Sequence, residues 1–195
     1  MAGNANTLAR NLSQVLESPR LQNFAPSLQC EITNARTEPR GRMTEGLVSI
    51  VSSLPESEGV KVFVHEFGHA VDIEYLIPRL LRSDASEEFY EISWQDTRVK
   101  LPKQTITNFV SGYAMTNKYE DFAESFGLYV FHNETFAARA QLDSIIARKY
   151  AFFQNRVFVD GEFIGTSFET VPLEKYLWDT TKPPISVAKY LQYIR

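Results

Sequence analysis

Cysteine, runs of basic residues and long apolar stretches are scarce or missing in this sequence. Its single cysteine, Cys30, has no partner for an internal disulfide, so cysteine usage does not indicate a compartment. No window approaches eighteen consecutive apolar residues, which argues against a membrane-spanning helix. The net charge is −4 and there is no basic run, which argues against a nucleic-acid partner. We therefore expect no membrane and no nucleic acid among the partners.

The start of the chain, Met1–Arg10, also lacks the apolar core of a signal peptide. Two locations follow from this. Either the protein stays inside the cell, or a signal peptide is absent from this chain.

The remaining composition is that of a globular domain. The chain has 195 residues, of which 44% are hydrophobic, with 14 Phe and 9 Tyr. This predicts one domain, residues 1–195, with a substantial core. The strands and helices predicted along the chain make its fold class α+β. The predicted elements are a helix over Leu8–Leu16 capped by Thr7, strands over Ser27–Thr33 and Leu47–Ser52, a loop over Asn34–Glu45, a helix ending before Pro78, a short helix over Ser83–Glu91, an irregular connection over Ser93–Gly112, helices over Asn117–Phe131 and Asn133–Lys149, a hairpin over Arg156–Ile164, and a last helix ending near Ile194.

Histidine is scarce as well, and its placement is the strongest signal in the chain. Two of the three histidines lie in the segment His65-Glu66-Phe67-Gly68-His69. Residues four apart lie one turn above each other on an α-helix, so both imidazoles can face one metal ion. Glu66 projects beside that ion, where it can accept a proton from a metal-bound water. The pattern predicts a catalytic metal site.

The residues around this motif favour a helix that is anchored to a core. Ser53–Glu56 resembles a capping box that opens the helix. Gly68 costs about 1 kcal/mol relative to alanine within a helix, and it allows close approach of another backbone, for which the preceding strand is a candidate. An apolar stripe at helical spacing lies on a face other than the ligand face; its members are Val60, Val64, Phe67 and Val71.

Two histidines do not complete the site, because a catalytic zinc usually has three protein ligands and one open position. Metzincins place a glycine three residues after the second histidine and a third histidine six residues after the second. Here those positions hold Asp72 and Tyr75, so the metzincin pattern fails. The third histidine, His132, lies at the end of a predicted helix and is interpreted as a surface residue.

A glutamate from a later helix is the gluzincin alternative. Glu120 and Glu124 are four residues apart, so both face the same way on the helix predicted over Asn117–Phe131. Glu120 could bind the metal while Glu124, one turn further, orients a ligand histidine. An ordinary interpretation is also open, because Asn117 with Glu120 is a capping pattern and Glu124 could be a solvated charge.

Taken together, these segments resemble a known enzyme family. The first is His-Glu-Phe-Gly-His-Ala-Val-Asp over His65–Asp72, and the second runs from Tyr113 to Glu120-Asp-Phe-Ala-Glu124-Ser-Phe. They are similar to gluzincin metallopeptidases, in particular the catalytic domain of anthrax lethal factor and the secreted Pro-Pro endopeptidases. The resemblance covers roughly residues 40–130.

The resemblance implies a zincin-like fold, one zinc ion per chain and a set of residue roles. The fold would be a small curved sheet packed on the active-site helix, with a mostly helical C-terminal part. The Tyr113 hydroxyl would stabilise the oxyanion of the transition state. The implied roles are zinc ligands for His65, His69 and Glu120, general base for Glu66, transition-state stabiliser for Tyr113, and orientation of a ligand histidine for Glu124.

The sequence thus predicts a zinc-dependent endopeptidase that acts on peptide or protein substrates. Strands directly before the motif helix suit such an enzyme, because an edge strand beside the metal holds an extended peptide by main-chain hydrogen bonds. Alternatively, these strands only cover the helix. The competing function is a binding or interaction protein that kept the zinc scaffold without turnover.

Two further expectations concern location and the end of the chain. The resemblance favours a secreted protein whose signal peptide is absent from this chain, with a cytoplasmic location also open. Residues 150–195 carry no such resemblance. We interpret them as ordinary packing, and the alternatives are a wall of the cleft or a self-inhibitory cover.

Overall fold

The computed structural model describes residues 2–34, 39–76 and 85–195, and there the chain is a mixture of helices and small sheets. The class is α+β, as predicted. The helices are α1 (Ala2–Leu16), α2 (Glu56–Ala70), α3 (Ala85–Tyr90), α4 (Lys118–Phe131), α5 (Asn133–Ala140), α6 (Ser144–Phe152) and α7 (Val187–Tyr193). The strands are β1 (Gln29–Thr33), β2 (Gly41–Thr44), β3 (Leu47–Val51), β4 (Trp94–Asp96) and β5 (Val99–Lys100). Single π-helical turns extend α2 over Val71–Tyr75 and α6 over Phe153–Val157, and 3₁₀ turns form at Ile106–Asn108 and Tyr113–Met115.

The main sheet has three strands in the order β1-β3-β2. β1 runs parallel to β3, and β2 runs antiparallel to it. Val48 and Ile50 of β3 are fully buried, whereas Leu47 and Ser49 are half-buried. This alternation is expected of a sheet that packs one face on helices. β2 lies at one edge of the sheet.

The loop predicted over Asn34–Glu45 is wrong for Gly41–Thr44, which forms β2; residues 35–38 of that prediction lie outside the described residues. A four-residue strand with the sequence Gly-Arg-Met-Thr has no alternating apolar pattern of its own. It exists because its main chain pairs with β3. Such long-range pairing is not visible in a local sequence window.

Helix α2 is anchored as its apolar stripe predicts. All four stripe residues are almost completely buried: Val60, Val64, Phe67 and Val71. The capping box predicted at Ser53–Glu56 is wrong, because Pro55 precedes the first helical residue and no side chain caps the helix. Glu56 and Glu58 in the first turn favour the positive end of the helix dipole instead.

Gly68 brings α2 close to α4, and not to a strand as the sequence suggested. A Cβ atom at this position would lie 3.3 Å from the Cα of Ala123 and 3.3 Å from the side chain of Phe126. The rings of Phe67 and Phe126 pack beside this contact, 6.1 Å apart between centroids. A side chain at this position would therefore press on α4, which would have to move by a few tenths of an ångström to accept it.

We expect Gly68→Ala to lower the free energy of unfolding by about 1 kcal/mol. Alanine improves helix propensity by about 1 kcal/mol, but overpacking a tight contact typically costs 1–3 kcal/mol. The neighbour at 3.3 Å is backbone, which cannot turn aside as a side chain can. Urea unfolding of both proteins measures the difference, and a more stable variant would show that α4 yields easily.

Helix α4 is held on its other side by a buried ion pair. Lys149 Nζ donates to both carboxylate oxygens of Asp121, at 2.9 and 2.6 Å, and both side chains are fully buried. Trp94 Nε1 donates to the same carboxylate at 2.9 Å. Asp121 thus points away from α2, and this fixes the rotation of α4 that turns its neighbour Glu120 toward α2.

Several other predicted elements differ from the observed ones. Thr7 lies inside α1 and does not cap it, because that helix begins at Ala2. The helix predicted over Asn133–Lys149 is two helices, since Asp143 caps α6 by accepting from Ile145 N at 2.8 Å and Ile146 N at 3.0 Å. The hairpin predicted over Arg156–Ile164 is wrong: a π-helical turn and two loop turns occupy this segment.

The connection predicted as irregular over Ser93–Gly112 contains the small β4-β5 sheet and a 3₁₀ turn. The short acidic helix is observed as α3, whereas residues 83–84 and Pro78 lie outside the described residues. The last helix, α7, ends one residue before Ile194, as predicted. Within the described ranges, no helix is both long and apolar enough to cross a bilayer.

Candidate metal centre

Three predicted ligand residues converge where α2 crosses the start of α4. His65 Nε2 lies 3.1 Å from Glu120 Oε2, and His69 Nε2 lies 3.5 Å from the same oxygen. The two imidazole rings are 5.0 Å apart and nearly perpendicular. One donor atom from each of the three residues lies within 4.8 Å of the others, so the group can hold a metal ion.

The electrostatics of this cluster favour a cation. Burial alone would lower the pKa of His65, but hydrogen bonding to Glu120 and Glu124 outweighs burial and raises that pKa well above 6.5. Burial would raise the pKa of Glu120, and its contacts with His65 and His69 reverse this and lower it. Carboxylates thus surround a partly buried pair of imidazoles and stabilise positive charge there, whether carried by a proton or by a metal ion.

Glu124 is completely buried, so its interpretation as a solvated charge is wrong. Oε2 accepts hydrogen bonds from Ser111 Oγ at 2.5 Å and from the Thr180 backbone N–H at 2.9 Å. Oε1 accepts from Thr180 Oγ1 at 3.0 Å. His65 Nδ1 is buried without a well-aligned hydrogen bond, and Glu124 Oε1 lies 3.1 Å from it. The carboxylate is therefore placed behind His65, on the nitrogen that faces away from Glu120.

The capping pattern at the start of α4 is real and does not conflict with a ligand role. Asn117 Oδ1 accepts hydrogen bonds from Tyr119 N at 3.0 Å and Glu120 N at 3.1 Å. The cap thus uses the backbone of Glu120, while its carboxylate turns to the histidines. The two interpretations of Glu120 are therefore compatible, because they use different atoms.

Tyr113 lies beside the cluster on a 3₁₀ turn. Its ring centroid is 6.1 Å from that of His65, and the side chain is half-buried. Burial, reinforced by the negative charge of Glu120 and Glu124, raises the pKa of Tyr113 to about 12. The hydroxyl therefore keeps its proton at neutral pH and is available as a hydrogen-bond donor.

Glu66 lies between the metal-ligand cluster and the edge strand β2. A Cβ atom at Gly41 would lie 2.9 Å from Glu66 Oε1, so glycine makes room for this carboxylate. A cleft of about 290 Å³ opens here. Its lining comes from the edge strand, α2, α4, the tyrosine turn and the C-terminal segment, and consists of Pro39, Arg40, Gly41, Val62, His65, Glu66, Tyr113, Glu124, Trp178, Asp179, Thr181 and Lys182.

Residues 178–182 of the C-terminal segment wall this cleft, whereas other parts of the segment pack in the core, as Phe153, Phe158 and Tyr190 do. The prediction of ordinary packing therefore holds for much of the segment and is wrong for this stretch. Gly112 N donates to Leu177 O at 2.8 Å, and Tyr113 N donates to Trp178 O at 2.7 Å. Next along the chain, Thr180 bonds to Glu124 through both its N–H and its hydroxyl. The segment thus pairs with the backbone of the tyrosine turn and reaches the carboxylate behind His65.

Sequence reasoning missed Ser111 and Thr180. Ser111 stands two residues before Tyr113 in a segment that was read as irregular. Thr180 is 56 residues after Glu124, and it meets that carboxylate only through the tertiary fold. No local pattern identifies either residue, whereas the requirement that a buried carboxylate be hydrogen-bonded predicts that such donors exist.

His132 does not belong to the metal cluster, and it is not a surface residue as predicted. It is completely buried, with Nε2 at 2.9 Å from Lys61 Nζ and Nδ1 at 3.0 Å from Glu169 Oε1. Burial lowers the pKa of His132 to about 4, so the ring is neutral and accepts from Lys61 while donating to Glu169. Lys61 also donates to Pro183 O at 2.9 Å. This network ties α2 to the C-terminal segment.

The structure therefore brings together all six residues that the sequence singled out for the site. His65, His69 and Glu120 form the ligand group. Glu66 and Tyr113 line the adjoining cleft. Comparison of the chain with protein-family models, with curated proteins and with solved structures finds no match.

Proposed function

We propose that this chain is a zinc-dependent endopeptidase of the gluzincin type, built on a zincin-like fold. The observation that carries the proposal is the convergence of three side chains that could bind a metal, one of which, His65, lines a cleft together with Glu66 and Tyr113. The motif sequences and their resemblance to gluzincins support the same assignment.

The ligand distances fit zinc. Bonds of about 2.1 Å from a tetrahedral zinc ion place its ligand atoms about 3.4 Å apart. The two nitrogens lie 3.1 and 3.5 Å from Glu120 Oε2, on either side of this value. Three protein donors also leave the fourth position open, as a catalytic zinc requires.

Three residues of the cleft have a chemical task in peptide hydrolysis: Glu66, Tyr113 and Glu124. Zinc held by the ligand group supplies a Lewis acid that lowers the pKa of coordinated water toward about 7. Glu66 accepts the proton of the attacking water and passes it to the leaving amine. Tyr113, which is protonated at neutral pH, donates a hydrogen bond to the developing oxyanion. Glu124 holds the ring of His65 in place from Nδ1.

The edge strand β2 is suited to hold the substrate main chain. Among the strands that the structure describes, β2 pairs with β3 alone, so its outer edge can pair with an extended peptide. Gly41 places this strand in contact with Glu66, the proposed base. A peptide paired along β2 would therefore pass beside the base and the metal ligands.

Metal analysis tests the central claim. The purified protein should contain about one zinc ion per chain, and zinc affinity should begin to fall while the pH is still above 6.5. A ligand histidine must lose its proton to bind zinc, and Glu120 and Glu124 raise the pKa of His65 above 6.5. Elemental analysis after zinc supplementation, repeated between pH 5 and 8, checks both points. Protein that takes up no zinc at pH 8 would contradict the proposal.

We expect Tyr113→Phe to lower kcat by about 100-fold with little change in KM. Loss of one donor to an oxyanion costs about 10²–10³ in kcat, and a donor that acts in the transition state affects kcat rather than binding. Tyr119→Phe is the matched control, because Tyr119 lies nearby at the start of α4 but is 40% exposed and outside the cleft. Steady-state kinetics on one peptide decide the question; an unchanged kcat would make Tyr113 a packing residue.

A further inference from the structure

Trp178 is a large apolar side chain that is 64% exposed and yet held in a fixed place. Its backbone carbonyl accepts a hydrogen bond from Tyr113 N at 2.7 Å. Its ring packs over Gly112, where a Cβ atom would lie 2.4 Å from Trp178 Cε3. A side chain at Gly112 would displace the indole, so the glycine leaves room for the ring in the position that it occupies.

Trp178 lines the same cleft as Glu66 and Tyr113. The backbone hydrogen bond from Tyr113 N to Trp178 O places these two residues side by side at the cleft. Tyr113 is the proposed donor to the oxyanion, so a substrate side chain that reaches Trp178 belongs to a residue close to the scissile bond.

The chemistry of this part of the cleft favours an apolar side chain. Pro39 and Val62 also line it, and both present hydrocarbon. The charged side chains nearby pair with one another: Arg40 with Glu58 at 2.7 Å and with Asp179, and Lys182 with Glu58 at 2.6 Å. Their charge is already compensated by these contacts, so it gives little preference for a charged substrate side chain.

We propose that Trp178 determines substrate specificity by receiving a large apolar side chain, aromatic or aliphatic, close to the scissile bond. This inference rests on the proposed peptidase function and adds the substrate class to it. Aromatic rings prefer to bury their faces against other apolar groups, and a well-formed aromatic pair adds about 0.5–1.5 kcal/mol beyond area burial. At the upper end this is roughly a tenfold preference.

Hydrolysis of matched peptides is the first test. The peptides vary one position at a time, among the four positions nearest the cleaved bond, and place Phe, Leu, Ala or Gly there. At one of these positions, kcat/KM should be roughly tenfold higher for Phe or Leu than for Ala. Trp178→Ala should lose that preference, whereas Trp178→Phe should keep most of it. Val159→Ala is the control, since Val159 is also 64% exposed but lies outside the cleft.

Fluorescence gives a second test that does not need turnover. The chain has two tryptophans, and Trp94 is buried and bonded to Asp121, so a peptide in the cleft should shift the emission of Trp178 alone. In the Glu66→Gln protein, a Phe-containing peptide should shift the emission to shorter wavelength at lower concentration than its Ala counterpart. The same protein with Trp178→Phe should show no shift.

The two tests separate failure of this inference from failure of the peptidase proposal. Zinc-loaded protein that cleaves no peptide but shows the selective emission shift would overturn the peptidase function and support the apolar site. Cleavage with an unchanged preference in Trp178→Ala would overturn the role of Trp178 and leave the peptidase function standing. Equal emission shifts for the Phe and Ala peptides, or no shift with either, would also overturn the proposed role of Trp178.

Discussion

Replacing Glu66 with glutamine is expected to lower kcat by about 10³- to 10⁴-fold while zinc stays bound. General acid–base catalysis contributes up to about 10⁴-fold, and glutamine has the shape of glutamate but cannot accept the proton. Glu66 is outside the ligand group, so zinc affinity should be unchanged. Peptide hydrolysis and zinc content measured on the same sample test both halves of the expectation.

The matched control for this variant is Glu56→Gln. Glu56 is on the same helix and, like Glu66, half-buried, but it lies outside the cleft and accepts a hydrogen bond from Asn11 at 2.5 Å. That bond survives the change to glutamine, so activity should stay within about twofold of the parent. A Glu66→Gln protein that cleaves peptides at the parent rate would show that the base has been assigned wrongly. A parent protein that binds zinc but never cleaves would instead favour the silent scaffold.

Helix α2 was predictable because the sequence pattern that predicts it lies within one short segment. The apolar stripe of α2 and the ligand pair His65 and His69 repeat at helical spacing within one helix, and one helix has only one way to present them. The same holds for Glu120 and Glu124 on α4. For these elements the sequence predicts the face as well as the helix.

The surroundings of the site were not predictable, because they depend on contacts between distant segments. β2 has no strand pattern and forms by pairing with β3. Thr180 reaches Glu124 from 56 residues away. His132 looks like a helix-end residue in the sequence, but it is buried by Lys61 and Glu169, which stand 71 residues before it and 37 residues after it.

Gly68 illustrates how a local signal can be read correctly and still be placed wrongly. Glycine is less favourable than alanine within a helix, so its presence there indicates that another backbone comes close. The sequence cannot say which backbone, and the preceding strand was the nearer candidate along the chain. The backbone that approaches it belongs to α4 instead, so the glycine lies at the contact between the helix with His65 and His69 and the helix with Glu120.

The last prediction concerns which glutamate binds the metal. Glu120 and Glu124 are four residues apart and share one face of the helix, so their spacing in the sequence does not show which of them binds the metal. The structure supports Glu120, because its Oε2 faces the Nε2 atoms of both His65 and His69, at 3.1 and 3.5 Å. Glu124 instead lies 3.1 Å from Nδ1 of His65 and has its other lone pairs occupied by Ser111 and Thr180. A histidine that binds zinc through one nitrogen typically uses the other to donate to such a carboxylate.

We therefore expect Glu120→Ala to lose zinc affinity by well over 100-fold and to be inactive, since one of three ligands is gone. Glu124→Ala should lose 10- to 100-fold, the usual cost of removing a partner behind a ligand, and should keep partial activity. Chelator competition measures both affinities at pH 7.5.

Because Glu124 is fully buried, its alanine variant also leaves a cavity and strands the hydroxyls of Ser111 and Thr180. Glu124→Gln is the necessary companion, since it keeps the volume and an acceptor for His65 Nδ1. It should bind zinc more tightly than Glu124→Ala, while Glu120→Gln should bind hardly better than Glu120→Ala, because an amide oxygen is a poor replacement for a charged ligand on zinc. A larger loss of zinc affinity at Glu124 than at Glu120, in variants shown to be folded by circular dichroism, would reverse the assignment and make Glu124 the ligand.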